Sequence, residues 1–348
     1  ETAKAILDRD GRKYLDMSEE DRLAAFKTIA LEEKLAALKR DLERFHVTFD
    51  RWFSEKSLYP DKVDGVLKTL RDCGELYEEG GAWWLRTTDN GDDKNRVVIR
   101  ANGEPTYFCS DIAYAKDKFD RGFKKLVDIW GADHHGYIVR LKTAIKFLGY
   151  NPDDFDVDLL QMVTLLRNGK PVKMSKRTGE AVTLAELIDE VGTDAARYFF
   201  TSRTLDSQME FDIDLAKKES SENPVYYIQY ANARIHSLLA QAREAGCVWG
   251  GVDQTDFTLL KTDAELDLIK KMDTYHDLIA NAARERAPHR IARYAYELAG
   301  LFHHFYRECR CLCDQPGLTQ ARLGLILAVQ YVLVHAMTIL GVSAPEHM

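Results

Sequence analysis

The sequence predicts an α/β domain followed by an all-α domain, and two patterns along the 348 residues support this prediction. Between residues 96 and 166, short extended runs alternate with helical runs, which is typical of parallel βαβ units. After Pro224 the extended runs cease and long stretches of helical apolar spacing follow. We therefore expect a main domain boundary near Glu222. The three predicted parts are residues 1–169, 170–222 and 223–348.

Each predicted element rests on its residue spacing. Residues 19–45 carry apolar side chains at helical spacing, and Ser18 before them is a typical helix N-cap. Residues 47–53 alternate like a strand, and a Gly-Gly turn between two short extended runs predicts a small β insertion near residues 76–100. The remaining helices are predicted at 62–72, 111–119, 137–148, 184–190, 226–242, 263–280, 291–313 and 319–340. The remaining strands are predicted at 96–100, 125–130 and 157–166.

The composition is that of a soluble globular protein. Hydrophobic residues make up 45% of the chain and charged residues 30%, which are ordinary proportions. No apolar stretch approaches the roughly 20 residues that a membrane span needs. Cys309, Cys311 and Cys313 alternate along a predicted helix, which fits neither a zinc site nor a disulfide framework. We therefore expect a cytoplasmic protein with no membrane partner.

The charge of the chain is acidic and unevenly distributed. A formal net charge of −8 argues against a protein that coats nucleic acid through bulk electrostatic attraction. It therefore also argues against a DNA-binding role. Residues 223–348 carry 12 Lys and Arg against 13 Asp and Glu, so the acidic excess lies before them. A phosphate-binding surface in this last third must therefore be local and built from clustered arginines.

A glycine-flanked polar segment directly follows the strand predicted at 125–130. It begins at Gly131, contains Asp133, His134 and His135, and precedes a predicted helix. Ligands of α/β proteins bind at the carboxyl ends of strands, where Asp133 would accept hydrogen bonds from a ribose and helical N–H groups are free. The alternative is that Asp133 caps the helix and the histidines are polar loop residues. The spacing alone leaves both interpretations open.

Tyr107 and Asp111 lie four residues apart at a predicted strand-to-helix junction. The carboxylate of Asp111 suits a guanidinium, which it can accept bidentately, and Tyr107 supplies a hydroxyl and a flat wall. The alternative is that Ser110 or Asp111 is the N-cap of the helix. From these residues alone, capping is favoured.

The most informative stretch is the polar loop between the strand predicted at 157–166 and the helix at 184–190. It places Lys173 and Lys176 three residues apart. Flexible ammonium groups suit a phosphate that moves during a reaction, and cations that arrive as charge develops stabilise the expulsion of pyrophosphate. The alternative is a solvated lysine-rich turn. Gly169 and Lys170 lack P-loop spacing, so an ordinary NTPase is not indicated.

Five stretches carry a more specific signal. They are TYFCSDIAYAKDKF (106–119), WGADHHGYIVRLK (130–142), PVKMSKRTGEAVTLAELIDEVGTDAARYFF (171–200), FDIDLAKKESSENPVYYIQYANARI (211–235) and GVSAPEHM (341–348). Together they resemble the arginyl-tRNA synthetases, members of the class I aminoacyl-tRNA synthetases, along essentially the whole chain. The resemblance implies the second half of a class I Rossmann-type nucleotide-binding fold, followed by an α-helical anticodon-binding bundle of the DALR type.

The resemblance also implies substrates and residue roles. The expected partners are ATP with Mg²⁺, L-arginine and tRNA(Arg), in an intact enzyme that is a monomer. The implied arginine-binding residues are Tyr107, Asp111 and His135. The implied ATP-binding residues are Gly131, Asp133, His134, Met174 and Ser175. Lys173 and Lys176 would act catalytically on the triphosphate, with Lys176 following the leaving pyrophosphate. Arg177 stands where class I enzymes usually have Ser, and its role stays open.

One feature of the family is missing from the sequence. Class I enzymes carry a His-x-Gly-His motif after their first strand, and this spacing occurs nowhere in the chain. We therefore expect a carboxyl-terminal fragment that begins inside the protein and is inactive alone. A competing hypothesis is a stand-alone tRNA-binding module without ligase activity. A third, independent of the resemblance, is a nucleotidyl-transferring α/β enzyme with an unrelated helical domain.

The helical part offers candidate tRNA-binding residues. Tyr226, Tyr230 and Arg234 follow at intervals of four, which places two aromatic rings and a cation on one helical face. Arg286, Arg290 and Arg293 form a similar cationic stripe, and Tyr306 pairs with Arg310. Met348 is a further candidate because the family often places an anticodon base against the final helix and tail. The alternatives are that the tyrosines pack the bundle and the arginines face water. The residues expected in the core are Leu298, Leu301, Phe302 and Phe305.

Overall fold

The computed structural model describes residues 2–172 and 182–348. The chain divides into two compact units, each built from separate segments. The α/β unit comprises Phe49–Val163 and Leu205–Met209. The helical unit comprises Glu1–Thr48, Thr164–Thr204 and Glu210–Met348.

The described residues form helices and strands in the following order. The helices are α1 (Thr2–Asp10), α2 (Glu19–Arg44), α3 (Asp61–Asp72), α4 (Tyr107–Asp120), α5 (Tyr137–Phe147), α6 (Leu184–Val191), α7 (Thr193–Thr201), α8 (Ile213–Ala216), α9 (Pro224–Glu244), α10 (Asp263–Asp273), α11 (Tyr275–Arg284), α12 (Pro288–Glu308) and α13 (Pro316–Leu340). The strands are β1 (Leu76–Glu79), β2 (Ala82–Leu85), β3 (Arg96–Ile99), β4 (Leu126–Gly131), β5 (Phe155–Leu160), β6 (Val163–Arg167), β7 (Lys170–Pro171) and β8 (Met209–Asp212).

The predicted β insertion is an antiparallel sheet of order β1-β2-β3. Gly80 and Gly81 join β1 to β2 with φ of +62° and +76°, the left-handed conformation that a two-residue hairpin requires. Strand β3 pairs antiparallel with β2. The prediction that the parallel alternation begins at residue 96 is therefore wrong, and β3 belongs to the insertion.

The predicted parallel unit is confirmed, but it begins at β4 instead of β3. Strands β4 and β5 pair in parallel from Leu126 opposite Phe155 to Gly131 opposite Leu160, and α5 lies between them in sequence. Phe155 and Ile145 are fully buried in the core of this unit. Burial of such apolar side chains is the main force that holds the crossover helix on the sheet.

Two strand predictions need correction. The strand predicted at 157–166 is two strands, because the Gln161 N–H donates to the carbonyl of Leu205 at 2.9 Å and leaves the β4–β5 ladder. The chain resumes in β6, which pairs antiparallel with β7. Residues 47–53 form no strand. Phe49 and Trp52 pack edge to face, with ring centroids 5.3 Å apart, and no strand in the described part of the chain pairs with this segment.

The helical unit is built around α9, α10, α12 and α13, which pack against one another. Its core includes Leu268, Phe302 and Leu333, all fully buried. Leu298 and Phe305 are also fully buried, as predicted, whereas Leu301 is partly exposed. Ser18 caps α2 as predicted, accepting from the Asp21 N–H at 3.1 Å. Pro224 is in the first turn of α9, which Asn223 caps.

Two of the predicted helices are broken or end early in the structure. The helix predicted at 263–280 is two helices, α10 and α11, separated at Thr274. The helix predicted at 291–313 ends at Glu308, because Cys309 is extended with φ −121° and ψ 117°. The cysteine run is therefore not helical. Cys309 and Cys311 are buried free thiols.

Helix α13 corrects the expectation that no apolar stretch approaches the length of a membrane span. It has 25 residues, and its most apolar 18-residue window has a mean hydropathy of 2.1, enough by length and composition to cross a membrane. Half of its apolar window is buried inside the protein, where it packs on α9, α10 and α12. Core helices of soluble proteins have the same composition, so this helix is weak evidence for a membrane span.

Candidate active site and nucleic-acid interface

The α/β unit contains a cleft of about 710 Å³. Three elements form it: one face of α4, the end of β4, and the start of α5. The lining side chains are mainly aromatic and apolar, with a few charged groups among them. They include four of the residues predicted from the sequence, namely Tyr107, Asp111, Gly131 and His134.

Helix α4 begins earlier than predicted, and this decides how Asp111 is placed. Thr106 is its N-cap and accepts a hydrogen bond from the Cys109 N–H. The alternative that Ser110 or Asp111 caps the helix is therefore wrong. Tyr107 and Asp111 lie one turn apart on the same helical face. The side chain of Tyr107 is 77% exposed, whereas Asp111 is partly buried.

The carboxyl group of Asp111 is held by Tyr137, whose hydroxyl donates to Oδ2 at 2.6 Å. Burial raises the pKa of Asp111, and the negative charges of Glu55 and Asp128 add to the rise, against the opposing effects of Tyr137 and Lys118. Lys118 is already paired with Asp128, at 2.5 Å between Nζ and Oδ1. Across residues 2–172 and 182–348, Asp111 has no ion-pair partner within 4 Å. A cationic ligand in the cleft would supply one.

An aromatic wall borders this carboxyl group. The ring of Tyr137 packs edge to face on Trp130 at 5.6 Å and on His134 at 6.4 Å. Tyr114 also lines the cleft and stacks on Phe53 at 4.4 Å. Aromatic side chains that are packed on their neighbours keep one conformation, so the cleft has fixed walls.

The segment after β4 divides into residues that line the cleft and residues that do not. Gly131 and His134 line it, whereas Asp133 and His135 are exposed outside the lining. A Cβ atom at Gly131 would lie 2.6 Å from Oδ1 of Asp133, so the glycine leaves room for this side chain to fold back. The N-cap of α5 is Gly136 without a side-chain cap. Asp133 is therefore not the helix cap of the alternative interpretation.

The lysine loop lies outside the described residues. Its members Lys173, Met174, Ser175, Lys176 and Arg177 were predicted as phosphate-binding or loop residues. The chain is described again before α6, where Thr183 and Glu186 form a capping box. In the described parts of the chain, no group of three or more His, Cys, Asp or Glu side chains is arranged to hold a metal ion.

On the helical unit, four predicted residues lie together on one surface. Tyr226 and Tyr230 have nearly parallel rings, 11° apart, with centroids separated by 6.2 Å. The guanidinium of Arg234 lies 4.5 Å from the centroid of Tyr230 and 4.4 Å from that of Tyr306. We call Tyr226, Tyr230, Arg234 and Tyr306 the tyrosine–arginine face. Such contacts are typical of surfaces that bind RNA and also of packed helical bundles.

The other candidate RNA-binding residues have different surroundings. Arg290 pairs with Glu285, and Arg293 pairs with Glu297 at 2.7 Å. Glu297 also accepts from Lys271 at 2.6 Å. Met348 is 51% exposed at the end of a tail. The Asn232 side chain anchors this tail by donating to the carbonyl of Pro345 at 2.8 Å.

Sequence reasoning missed several residues of both sites. Tyr114 and Lys118 follow Asp111 at helical spacing, and Asp128 alternates with Trp130 along β4, so these patterns carried a usable signal. Tyr137 reaches Asp111 from 26 residues away, which no local pattern reveals. His303, which contacts Tyr227 and Tyr230, was not singled out either.

Comparison with known proteins identifies two family matches. Residues 8–216 match the family model "tRNA synthetases class I (R), catalytic domain". Residues 228–348 match the model "DALR anticodon binding domain". The first match alone covers more than half of the chain.

Curated relatives point to the same family. Proteins named arginine–tRNA ligase from Geobacillus kaustophilus and Desulforudis audaxviator are 49% and 51% identical to the chain, each over 350 residues. These matches cover 100% of the chain but 63% and 62% of the relatives. The chain thus spans less than two thirds of the length of the relatives it matches.

Solved structures also point to the arginyl-tRNA synthetase family. A putative arginyl-tRNA synthetase from Campylobacter jejuni has a TM-score of 0.91 and 35% identity, covering 100% of this chain and 74% of that one. The arginyl-tRNA synthetase of Thermus thermophilus has a TM-score of 0.78 at 21% identity and covers 99% of this chain and 69% of that one. This second likeness supports the fold alone. The chain, with a class I synthetase catalytic region and a helical DALR anticodon-binding region, belongs to the arginyl-tRNA synthetase family.

Proposed function

We propose that the chain supplies the arginine-binding cleft and the tRNA-binding face of an arginine–tRNA ligase. The observation that carries this proposal is Asp111, a partly buried carboxyl group whose pKa is raised by burial and whose side chain Tyr137 holds at 2.6 Å. A buried carboxyl group is costly unless a cation pairs with it. The guanidinium of L-arginine is such a cation.

The geometry of the cleft supports arginine in particular. A guanidinium presents a planar fork of N–H donors to a carboxylate, whereas an ammonium is a point charge. Tyr107 would cover one side of the bound side chain, and the aromatic wall of Trp130 and Tyr137 would exclude water from the ion pair. His135 would contribute a polar contact in the same pocket, as the family resemblance implies.

For ATP, we propose that Gly131, Asp133 and His134 border the ribose and adenine. Lys173 and Lys176 would bind the triphosphate, together with Met174 and Ser175 of the same loop. Cations that meet the phosphates as pyrophosphate leaves act mainly on the transition state, which raises the rate rather than the affinity. Mg²⁺ would enter with ATP, bound to its phosphates.

The proposed reaction has two steps. The carboxylate of arginine attacks the α-phosphorus of ATP, the bond to the β-phosphate breaks, and pyrophosphate leaves with its electron pair. The terminal adenosine hydroxyl of tRNA(Arg) then attacks the carbonyl carbon of the adenylate. AMP leaves with the electron pair of the broken bond and takes up the hydroxyl proton. The role of this chain is to bind and orient arginine beside the α-phosphate.

For tRNA, the tyrosine–arginine face is the proposed contact surface. Residues 223–348 carry nearly balanced charge, so recognition would depend on aromatic stacking and local arginines rather than on a basic field. Arg290, Arg293 and Met348 are further proposed contacts. The two arginines would exchange their present carboxylate partners for RNA phosphates.

We also propose that the chain by itself does not activate arginine. The 348 residues contain no His-x-Gly-His spacing, and the parallel pair β4–β5 would form the second half of a class I Rossmann-type fold. In this proposal, residues 1–169 are the partial catalytic domain, 170–222 the lysine loop and connector, and 223–348 the anticodon-binding domain. The intact enzyme would be a cytoplasmic monomer. The missing motif also favours a second candidate, a tRNA-binding module without ligase activity.

Arginine-dependent ATP–pyrophosphate exchange with tRNA(Arg) present tests this proposal. We expect no exchange by the chain alone, and exchange by a longer protein that contains the chain with a His-x-Gly-His half. In that longer protein, Asp111→Asn should raise the KM for arginine by more than tenfold, because a charge-assisted hydrogen bond contributes roughly 1.5–3 kcal/mol. Exchange by the chain alone would contradict the inactivity, and an unchanged KM would remove Asp111 from the arginine site.

A further inference from the structure

His303 of α12 lies against the tyrosine–arginine face and is not one of its proposed RNA contacts. The side chain is 7% exposed. Its ring centroid is 4.6 Å from that of Tyr227 and 5.8 Å from that of Tyr230. A histidine buried among aromatic rings must satisfy both ring nitrogens within the protein.

Two contacts together determine the tautomer of this histidine. Nε2 lies 3.3 Å from the main-chain carbonyl oxygen of Tyr227, which can only accept, so Nε2 must carry a hydrogen. Nδ1 lies 3.4 Å from Nη1 of Arg234, which can only donate, so Nδ1 must carry a lone pair. Only the neutral imidazole with its hydrogen on Nε2 satisfies both. Burial lowers the pKa of His303 and so favours the neutral imidazole. The hydrogen bond to Tyr227 raises the pKa by less than burial lowers it, and the charges of Arg234 and Arg307 lower it further.

The guanidinium of Arg234 is held from several sides. Both Tyr230 and Tyr306 have ring centroids within 4.5 Å of its central carbon. Nη2 donates to the hydroxyl of Tyr230 at 2.7 Å, and Nη1 donates to His303. A guanidinium has five N–H groups, and no acceptor in residues 2–172 or 182–348 takes the others. The two rings contact the guanidinium, and its remaining N–H groups can donate to acceptors of a ligand.

From these contacts we infer that His303 is a positioning residue for RNA recognition, which fixes the plane of Arg234 so that its edge donates to acceptor atoms of a bound RNA. This inference rests on the proposed tRNA-binding role of the tyrosine–arginine face. Without the Nδ1 acceptor, Arg234 would keep its contacts with the two rings and its bond to the Tyr230 hydroxyl. A single hydrogen bond leaves the guanidinium free to rotate about it, so its plane would no longer be fixed. Recognition that depends on two aligned N–H groups would then weaken, whereas nonspecific attraction to phosphate would not.

Filter binding of tRNA(Arg) and a non-cognate tRNA to the full chain tests this. The variants are His303→Phe, which fills the space without hydrogen bonds, His303→Gln, which keeps a neutral donor and acceptor, Arg234→Ala, and the double variant His303→Phe with Arg234→Ala. We expect His303→Phe to reduce the preference for tRNA(Arg) roughly tenfold, since one hydrogen bond to a charged group contributes about that much. His303→Gln should recover most of the preference. The double variant should bind no worse than Arg234→Ala, because His303 acts through Arg234.

The possible outcomes separate the two claims. Normal binding by Arg234→Ala would mean that Arg234 does not contact RNA, and the inference would fall together with the proposed role of this arginine. If Arg234→Ala binds weakly, two results would overturn the inference but not the proposed function. One is a normal preference for tRNA(Arg) in His303→Phe, and the other is a loss in the double variant equal to the sum of the two single losses. If His303→Phe does not fold, the ¹⁵N spectrum of the His303 ring in the unaltered chain decides the matter. The inference requires a protonated Nε2 and an unprotonated Nδ1, and a hydrogen on Nδ1 would overturn it.

Discussion

The hydroxyl of Tyr137 donates a 2.6 Å hydrogen bond to Oδ2 of Asp111, joining the first turn of α5 to α4 across the cleft. This bond occupies one of the two acceptor positions of Oδ2 and leaves the other, together with Oδ1, for a bidentate ligand. It also orients the carboxylate plane before any ligand arrives. A preorganised carboxylate costs less entropy on binding than a mobile one.

Tyr137→Phe should weaken the binding of L-arginine to the chain by about tenfold, because the carboxylate loses its charge-assisted hydrogen bond. Isothermal titration calorimetry measures this directly. Tyr114→Phe is the matched control, since Tyr114 lines the same cleft and its hydroxyl has no hydrogen-bond partner in the described residues. Equal losses in the two variants would show that the hydroxyl of Tyr137 has no special role.

Asp111→Asn should stabilise the chain at neutral pH even though it removes the proposed ligand contact. The folded pKa of Asp111 is raised by burial, so above that pKa the folded state carries a charge that the unfolded state solvates better. The contribution of Asp111 to stability is therefore unfavourable at pH 7 and recovers as the pH falls through the raised pKa.

Melting temperatures measured against pH check this prediction. The difference between Asp111→Asn and the unaltered chain should shrink as the pH approaches the raised pKa of Asp111. Asp128→Asn is the control and should destabilise, because it removes the partner of Lys118. A lower melting temperature for Asp111→Asn at pH 7 would contradict the assigned sign.

Gly341→Ala should destabilise the helical unit by about 1–3 kcal/mol. Gly341 has φ of +70°, and an added Cβ would lie 2.3 Å from Nε of Arg197. That arginine donates to the carbonyls of Leu340 at 2.7 Å and Phe45 at 2.6 Å, so it cannot move without losing both bonds. Denaturant unfolding measures the change.

The control for this substitution is Gly65→Ala. Gly65 lies in the exposed face of α3 with nothing within 4 Å of an added Cβ. Alanine there should stabilise the protein by up to about 1 kcal/mol through helix propensity. Similar effects of the two substitutions would show that Arg197 yields easily.

Glu265 and Arg322 form a buried pair, with Oε1 and Nε 2.7 Å apart. Although burial alone would raise the pKa of Glu265, hydrogen bonds from Thr262, Lys261 and Arg322 hold it below its usual range. Stability from this group is therefore present above the pKa of an unfolded glutamate and is lost as the pH falls through the lower folded pKa.

Glu265→Leu should cost about 3–5 kcal/mol at pH 7, because it leaves Arg322 buried without its partner. The double change with Arg322→Met should recover much of the loss, since a paired apolar replacement leaves no buried charge. Chemical denaturation of both variants tests this. Equal stability of the two variants would mean that the loss came from the capping bonds of Glu265 and not from the charge on Arg322.

The sequence patterns predicted those parts of the molecule that depend on local spacing. The parallel crossover and the shared helical face of Tyr226, Tyr230 and Arg234 follow from residue periodicity. The hairpin at Gly80 and Gly81 follows from the turn residues. Non-local relationships were not accessible in this way. The start of α4 at Tyr107 depends on the Thr106 cap, and the partner of Asp111 comes from another helix.

Apolar alternation was also ambiguous by itself. Residues 47–53 have the spacing of a strand but no partner strand among the described residues, because a ladder needs a neighbour as well as a pattern. The run at 157–166 reads as one strand, yet its backbone turns away at Gln161 to bond with Leu205. Pairing of this kind is fixed by distant residues and leaves no mark on local composition.

The central claim is that Asp111 makes the cleft a guanidinium site. Calorimetric titration of the chain with L-arginine and with L-citrulline tests it most directly, because citrulline replaces the charged guanidinium with a neutral urea of nearly the same shape. We predict saturable binding of arginine, at least about 100-fold weaker binding of citrulline, and loss of this preference in Asp111→Asn. Equal affinity for the two ligands, or an unchanged preference in Asp111→Asn, would contradict the claim.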